Sequence, residues 1–175
     1  MKNISHFILL FCFLFISFQS TPKANASNEN KKTKVQKISL SPTDQKIVMS
    51  FFSLNEEIHL NFFKSKFIAP ANGITSLKKN VKSVKDLVVK KILEQNIVFL
   101  DGINQGKNKM EKMNYFHDFS LGLISMLEAY ELGSTYKIYY CSMVQKKWVQ
   151  NSIKLPKVHN PYAALEMPYC GECLE

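Results

Sequence analysis

The strongest constraint on the fold is a set of apolar side chains that recur at helical spacing along most of the chain. The first stripe follows a start signal in which Ser41 can cap a helix, Pro42 suits its first position and Asp44 occupies the place of a capping-box carboxylate. Its members are Ile47, Phe51, Leu54, Ile58 and Phe62. This pattern predicts a first amphipathic helix from about Ser41 to about Lys66.

Two further stripes predict two more long helices. The segment 69–73 contains a proline and a glycine and should interrupt the helical pattern, so the second helix is expected to start after Thr75 or Ser76 and to end at Phe99 or Leu100. The third is expected from about Lys109 to Leu132. The inward-facing residues are Leu77, Val81, Val84, Val88 and Ile92 in the second helix and Met113, Phe116, Leu123, Leu127 and Tyr130 in the third. Short connections between such helices favour an antiparallel bundle of three to four helices.

The chain changes character from Tyr136 onward. Residues 136–140 alternate weakly, like a short strand, and the remainder is rich in Pro, Asn, Tyr, Cys and Met without a helical period. The aromatic residues expected to anchor this tail onto the helices are Tyr139, Tyr140, Trp148 and Tyr162. We therefore predict a mainly α fold, in which an irregular Cys/Met-rich tail packs on the helical bundle.

The first 26 residues read as a cleaved signal peptide. Lys2 supplies a positive start, residues 7–18 are almost entirely apolar, and Ala24-Asn25-Ala26 is a small-x-small cleavage pattern. We expect cleavage after Ala26 and export to the periplasm. The apolar run is shorter than the roughly 20 residues that cross a bilayer, so no membrane span is expected after cleavage.

Four segments follow from these patterns. Residues 1–26 form the signal peptide, and residues 27–40 are polar and lysine-rich, which predicts a disordered tether. Residues 41–135 should form the helical bundle. Residues 136–175 should form the tail, which belongs to the same domain.

Charge argues against nucleic acid as a partner. The formal net charge is +9, and it falls to +7 once Lys2 and Lys23 leave with the signal peptide. Every basic residue is lysine, and arginine, the side chain best suited to bidentate phosphate and base contacts, is absent from the sequence. The lysines are better interpreted as solvated helix faces.

The chemistry-bearing residues are concentrated in the tail. They are Cys141, Met143, His159, Met167, Cys170 and Cys173. Thiolates and thioethers are soft ligands that favour Cu(I), and imidazole suits both copper and zinc. Because Cys141 and Met143 are two residues apart, an extended backbone would direct both side chains to the same side. This set predicts a soft-metal site for Cu(I), with zinc as the alternative ion.

A disulfide explains part of the same pattern without a metal. In an oxidising compartment Cys141 can pair with Cys170 or with Cys173, and one cysteine is then left over. Each methionine taken alone is more typical of a gap-filling core residue. His159 in its turn, and His59 and His117 beside the helical stripes, fit hydrogen-bonding or partly buried histidines. The residues alone leave metal and disulfide open.

Catalysis finds little support in the sequence. The segment from Cys170 to Cys173 has the spacing of thiol redox motifs, but those motifs place the reactive cysteine at a helix N-terminus, and this one lies close to the end of the sequence. No Ser-His-Asp arrangement, phosphate loop or paired-carboxylate site is present. We expect a protein that is not an enzyme.

The tail resembles a small periplasmic helical domain of unknown function, which also occurs attached to adaptor subunits of copper and other heavy-metal efflux systems. The family pattern is Cys-Pro-Met, Trp, Asn-Pro-Tyr, Met and Cys-Gly. The matching segments are Tyr140-Cys141-Ser142-Met143, Trp148-Val149-Gln150, Asn160-Pro161-Tyr162, Met167 and Cys170-Gly171. Ser142 replaces the usual proline, and Cys173 is an addition.

The resemblance implies metal handling, with Cys141, Met143, Met167 and Cys170 as candidate ligands. The leading hypothesis is a protein that binds Cu(I) in metal buffering, delivery or efflux, with a copper-efflux or other periplasmic metal-handling protein as its partner. The alternative is a structural or interaction module whose tail is closed by a disulfide and which holds no metal.

Overall fold

The computed structural model describes residues 36–174, which contain four helices and a three-stranded sheet. The helices are α1 (Pro42–Phe63), α2 (Ala71–Val81), α3 (Leu87–Gln105) and α4 (Lys109–Ala129), and the strands are β1 (Tyr136–Cys141), β2 (Lys146–Asn151) and β3 (Glu172–Leu174). The predicted mainly α fold is confirmed. The predicted signal peptide and residues 27–35 of the predicted tether lie outside the described residues.

The start of α1 follows the predicted capping signal. The Ser41 hydroxyl accepts a hydrogen bond from the Asp44 backbone N–H at 3.1 Å, and Pro42 occupies the first helical position. Asp44 does not complete a capping box. Its carboxylate instead accepts from the backbone N–H groups of Lys85 at 3.1 Å and Asp86 at 3.2 Å, so it ties the start of α1 to the start of α3.

The prediction of one long second helix is wrong, because the chain forms α2 and α3 there. Asp86 caps α3 by accepting from Val88 N–H at 2.9 Å and Val89 N–H at 3.0 Å, which starts a new helix inside the expected one. The break shifts the apolar stripe by one position. Val88, predicted to face inward, is 63% exposed, while Val89 is fully buried.

The predicted interruption at 69–73 is shorter than expected. Pro70 lies at the N-cap of α2, and Gly73 lies within the helix. A Cβ at Gly73 would lie 2.6 Å from Leu54 Cδ1, so the missing side chain lets α2 approach α1 closely. Gly73 therefore serves helix packing instead of ending a helix.

The third predicted helix is α4, which starts as expected and ends three residues early. Asn108 caps it by accepting from Glu111 N–H at 2.9 Å. Beyond Ala129 the chain pairs with Ile38, whose N–H donates to Ala129 O at 2.9 Å and whose carbonyl accepts from Glu131 N–H at 3.0 Å. Residue 38, at the end of the predicted tether, is thus hydrogen-bonded to the folded chain.

The tail is more regular than predicted, since it forms an antiparallel sheet with the strand order β2-β1-β3. The predicted strand at 136–140 is confirmed as β1, which ends at Cys141. The register places Tyr139 opposite Trp148 on β2 and opposite Cys173 on β3. The central position of β1 brings the two ends of the tail together.

Aromatic packing holds the sheet against the helices. Trp148 is fully buried, stacks on Tyr139 with ring centres 5.8 Å apart, and meets Tyr162 edge-on at 6.2 Å. Tyr162 in turn packs on Phe116 of α4 at 5.6 Å. These contacts confirm the predicted anchoring roles of Trp148, Tyr139 and Tyr162, whereas Tyr140 is only partly buried.

A polar cluster adds a second connection between α1 and the sheet. The Glu56 carboxylate accepts from the Tyr136 hydroxyl at 2.5 Å, from Asn151 Nδ2 at 2.7 Å and from Lys154 Nζ at 2.6 Å. Helices and sheet share one hydrophobic core. Among the described helices, none has the length and apolar character that crossing a membrane requires.

Candidate metal centre

Cys141 and Cys170 form the centre of the candidate site. Cys141 is the last residue of β1 and is fully buried, while Cys170 lies just before β3 and is partly buried. Both are free thiols, and they are close enough to hydrogen-bond to each other. The sheet creates this proximity, because the β1–β3 register carries the end of the tail back past Cys141.

The surroundings of Cys141 favour its thiolate. Burial raises the pKa of the Cys141 thiol, but hydrogen bonds from the Cys170 thiol, the backbone N–H groups of Val144 and Met143, and Asn160 outweigh that effect, so its pKa lies below the ordinary value. Val144 and Met143 belong to the turn that joins β1 to β2, so this turn directs backbone N–H groups at the sulfur. The site is therefore preorganised for one negative charge.

The pKa of the Cys170 thiol shifts in the opposite direction. Its pKa is raised, first because its thiol donates to Cys141, then by burial and by the negative charge on Cys141. Cys141 is thus the more acidic thiol of the pair, and ionising both would place two negative charges side by side. A soft cation bound between the two sulfur atoms would remove that repulsion and release the Cys170 proton.

Asn160 fixes the loop that carries Cys170. This side chain is fully buried, and its Nδ2 donates to Cys170 O at 3.0 Å. Its Oδ1 accepts from Tyr162 N–H at 2.9 Å and from Ala163 N–H at 3.2 Å, and its backbone N–H donates to Pro168 O at 2.8 Å. Asn160 therefore positions Cys170 while it also bonds to the Cys141 sulfur.

Gly171 permits the close approach that the site needs. Its φ is +149°, and a Cβ there would lie 2.6 Å from the Trp148 ring and 3.1 Å from Tyr140 O. Only glycine adopts such a backbone without strain. An open pocket of about 220 Å³ exposes Cys170 to solvent. It is lined by Tyr140, Ser142, Cys170, Gly171 and Glu172.

The two candidate methionines lie on the segments that carry the thiols. Met143 is in the turn directly after Cys141 and is 69% exposed. Met167 lies one turn before Cys170, whose N–H donates to Met167 O at 3.1 Å. Each thiol thus has a thioether on its own loop, within three residues along the chain.

Cys173 and His159 occupy different positions from the thiol pair. Cys173 is on β3 opposite Tyr139, two residues from the position opposite Cys141. His159 stacks on Phe63 of α1 with ring centres 4.3 Å apart. Among residues 36–174, no three His, Cys, Asp or Glu side chains form a group that could hold a metal ion. Of the six predicted site residues, the fold brings together Cys141 and Cys170.

The sequence did not reveal the roles of two residues near the candidate site, Asn160 and His59. Asn160 stands out in the sequence only as part of the tail pattern Asn160-Pro161-Tyr162, and its contact with the Cys141 sulfur depends on the sheet register. His59, expected to be an ordinary histidine beside the α1 stripe, is 1% exposed, its ring nitrogens make no well-formed hydrogen bond, and its ring lies 6.4 Å from that of His159. The available signal was the pair Asn55 and His59, which puts two polar side chains on an apolar helix face.

The comparisons with known proteins give no relative that bears on this site. The resemblance of the tail to the periplasmic domain of metal-efflux adaptors stays a prediction based on the motif residues. Searches with the whole chain find no matching family model, no matching curated protein and no matching solved structure.

Proposed function

We propose that this protein is exported and binds one Cu(I) ion between Cys141 and Cys170, acting in metal buffering, delivery or efflux and not as an enzyme. The observation that carries the proposal is the pair of neighbouring free thiols, in which Cys141 is buried and the hydrogen bonds around its sulfur lower its pKa. Thiolate is the form that binds metal ions, and Cu(I) is the common biological ion that best suits soft donors in small numbers.

The supply of donors around the pair also favours Cu(I) over zinc. Structural zinc sites take four Cys, His or acidic ligands in tetrahedral geometry. Within the described part of the chain these ligand types form no group of even three. Thioethers are donors that Cu(I) accepts readily, and Met143 and Met167 lie on the same loops as the thiols. A site of two thiolates with methionine support is the arrangement we propose.

The location of the pair suits delivery or buffering. Cys141 is buried and anchored by the sheet, whereas Cys170 borders the open pocket. An incoming donor from a metal-handling partner would approach Cys170 first and displace it from the ion. Cys141 would then hold the metal until the transfer is complete. The partner of this exchange is proposed to be a copper-efflux or other metal-handling protein of the periplasm.

The alternative is a Cys141–Cys170 disulfide that closes the tail. The same proximity favours it, and the register disfavours Cys141–Cys173, since diagonal positions on neighbouring strands are about 7–8 Å apart and disulfides span less. A disulfide has no use for methionine. A free-thiol count on protein isolated from the periplasm separates the two: the Cu(I) function predicts three free thiols in the mature chain after metal removal, and the disulfide predicts one.

The affinity of the reduced protein for Cu(I) tests the metal site. In competition with a Cu(I) chelator, Cys141→Ser and Cys170→Ser should each weaken binding by at least about 100-fold, more than the roughly 10–100-fold cost of losing an outer-shell partner. Met143→Leu and Met167→Leu should weaken it less, because thioether is the weaker donor.

Met110→Leu is the matched control, since Met110 is 67% exposed and Met143 is 69% exposed. It should leave the Cu(I) affinity unchanged. Equal affinity in the wild type and both methionine variants would remove Met143 and Met167 from the site. Equal affinity in the cysteine variants as well would refute metal binding at this pair.

A further inference from the structure

A cluster of buried polar atoms without partners lies between α1 and the loop that precedes Asn160. Among the described residues, six buried side-chain nitrogen or oxygen atoms have no hydrogen-bond partner, and four of them belong to three residues of this region. They are Asn55 Oδ1, His59 Nδ1, His59 Nε2 and His159 Nδ1. Leaving such atoms unpaired in the interior costs about 1–3 kcal/mol each, so their concentration in one place requires an explanation.

The fold brings these atoms together from two segments, α1 and the loop after β2. Asn55 and His59 are four residues apart and share one face of α1. Asn55 Nδ2 donates to Val149 O on β2 at 3.0 Å, which fixes its amide. His159 reaches the same region from the loop after β2, and its ring lies between Phe63, at 4.3 Å, and Tyr169, at 6.0 Å.

The two imidazole rings lie at a separation that fits a shared ion. Their ring centres are 6.4 Å apart. Metal–imidazole bonds are about 2.0–2.1 Å long, and two imidazoles on opposite sides of one ion then have ring centres roughly 6–6.5 Å apart. The ring nitrogens of His59 make no well-formed hydrogen bond, and the nearby backbone carbonyls of His159 and Val149 can accept from its one N–H, which leaves the lone pair of the other nitrogen for such an ion. No direct hydrogen bond between the rings competes with it.

We propose that His59 and His159 form a second Cu(I) site, in which the two imidazole nitrogens coordinate the ion from opposite sides. This site is separate from the thiol pair and does not depend on it.

The number of ligands at this site favours Cu(I) over zinc. Zinc sites take three or four protein ligands, and no third His, Cys, Asp or Glu side chain joins these two histidines within residues 36–174. Cu(I) is a monovalent ion without a strong geometric preference and accepts two donors in line. A single positive charge is also less costly to bury than a double one. The backbone carbonyls of His159 and Val149 near the His59 ring can accept from its one N–H and so orient the ring.

The protonation state of His59 suits this role. Burial and the nearby His159 lower its pKa to about 3, so the ring is neutral at neutral pH and carries a free lone pair. His159 is only partly buried, and its neighbour Tyr169 is 63% exposed, so an ion has a short path from solvent. His59 would be the inner ligand and His159 the outer one.

Anaerobic titration of the reduced full chain with Cu(I) in the presence of a competing chelator tests this site. The wild type should bind two equivalents, while His59→Gln and His159→Gln should each bind one. His117→Gln is the matched control, because His117 is half-buried, its Nδ1 lies 3.2 Å from Lys147 O, and it is outside the cluster. That variant should keep both equivalents.

A double variant with Cys141→Ser and Cys170→Ser separates this inference from the function proposed above. It should keep one equivalent if the histidine site exists, even if the thiol site does not. Proton NMR of the wild type provides a measurement that needs no mutation, because Cu(I) should shift the imidazole signals of His59 and His159 and leave that of His117 in place. Unshifted imidazole signals, with the same stoichiometry in the wild type and both histidine variants, would overturn the proposal.

Discussion

Acidifying the metal-free protein from about pH 7 to about pH 4.5 is expected to lower its free energy of unfolding by about 2–3 kcal/mol through His59 alone. Burial, and then the charge of His159, lower the pKa of His59 from 6.5 to about 3. Between these two values the unfolded chain binds a proton that the folded chain does not. The contribution of His59 to the free energy of unfolding is therefore fully present above its pKa in the unfolded chain. It is lost progressively as the pH falls toward its pKa in the folded protein.

The variant His59→Leu isolates this contribution. Leucine removes the titratable ring and the two unpartnered nitrogens at similar volume, so near pH 7 the change should cost less than about 1.5 kcal/mol. Urea unfolding followed by circular dichroism at several pH values should show a shallower acid loss in the variant by the same 2–3 kcal/mol. His117 and Glu56 also contribute acid sensitivity, but both remain in the variant and cancel in the comparison. Parallel pH profiles would contradict the burial of an uncharged His59.

The substitution Asn160→Asp is expected to destabilise the protein by at least about 3 kcal/mol, although it changes a single side-chain atom. The carboxylate keeps the acceptor for Tyr162 and Ala163 N–H but loses the donor to Cys170 O. It also introduces a negative charge at a fully buried position beside the Cys141 sulfur. The cost therefore combines an unsatisfied carbonyl with an unpaired buried charge.

The same substitution should raise the pKa of the Cys141 thiol, because a negative neighbour disfavours a second negative charge and a hydrogen-bond donor to the sulfur is lost. The pH dependence of thiolate absorbance, compared between wild type and variant, measures this shift. Asn151→Asp is the control, since Asn151 is also buried but belongs to the Glu56 cluster. It should be destabilising without moving the thiol pKa. A thiol pKa that stays the same in Asn160→Asp would show that Asn160 has no contact with the sulfur.

Hydrophobic periodicity predicted the helical part of the fold well where one stripe belongs to one helix. It failed at the α2–α3 boundary for a specific reason. Val81 and Val84 continue the helical spacing into the connection, and both are buried, so the pattern shows no gap there. The helix start at Asp86 is a local capping event, and an aspartate in a lysine-rich segment also fits a solvated helix surface.

The tail was less predictable because its order comes from contacts between distant segments. Strand β3 has three residues and forms only by pairing with β1. The sequence identified Cys141 and Cys170 as candidates, but their proximity depends on that register. The pair Asn55 and His59 on the apolar face of α1 marked His59 but not its partner, since His159 is distant in the sequence and the two meet through the packing of α1 against the loop after β2.

X-ray absorption at the copper edge, on reduced protein loaded with one equivalent of Cu(I), tests the central claim most directly. We expect the first ion to occupy the thiol pair, since thiolate is the strongest soft donor in the chain. The wild type should show a sulfur-dominated first shell near the roughly 2.3 Å typical of metal–thiolate bonds. The variant with both Cys141→Ser and Cys170→Ser should lose that shell and show nitrogen neighbours. A first shell without sulfur in the wild type, or identical spectra for the two proteins, would contradict a Cu(I) site between Cys141 and Cys170.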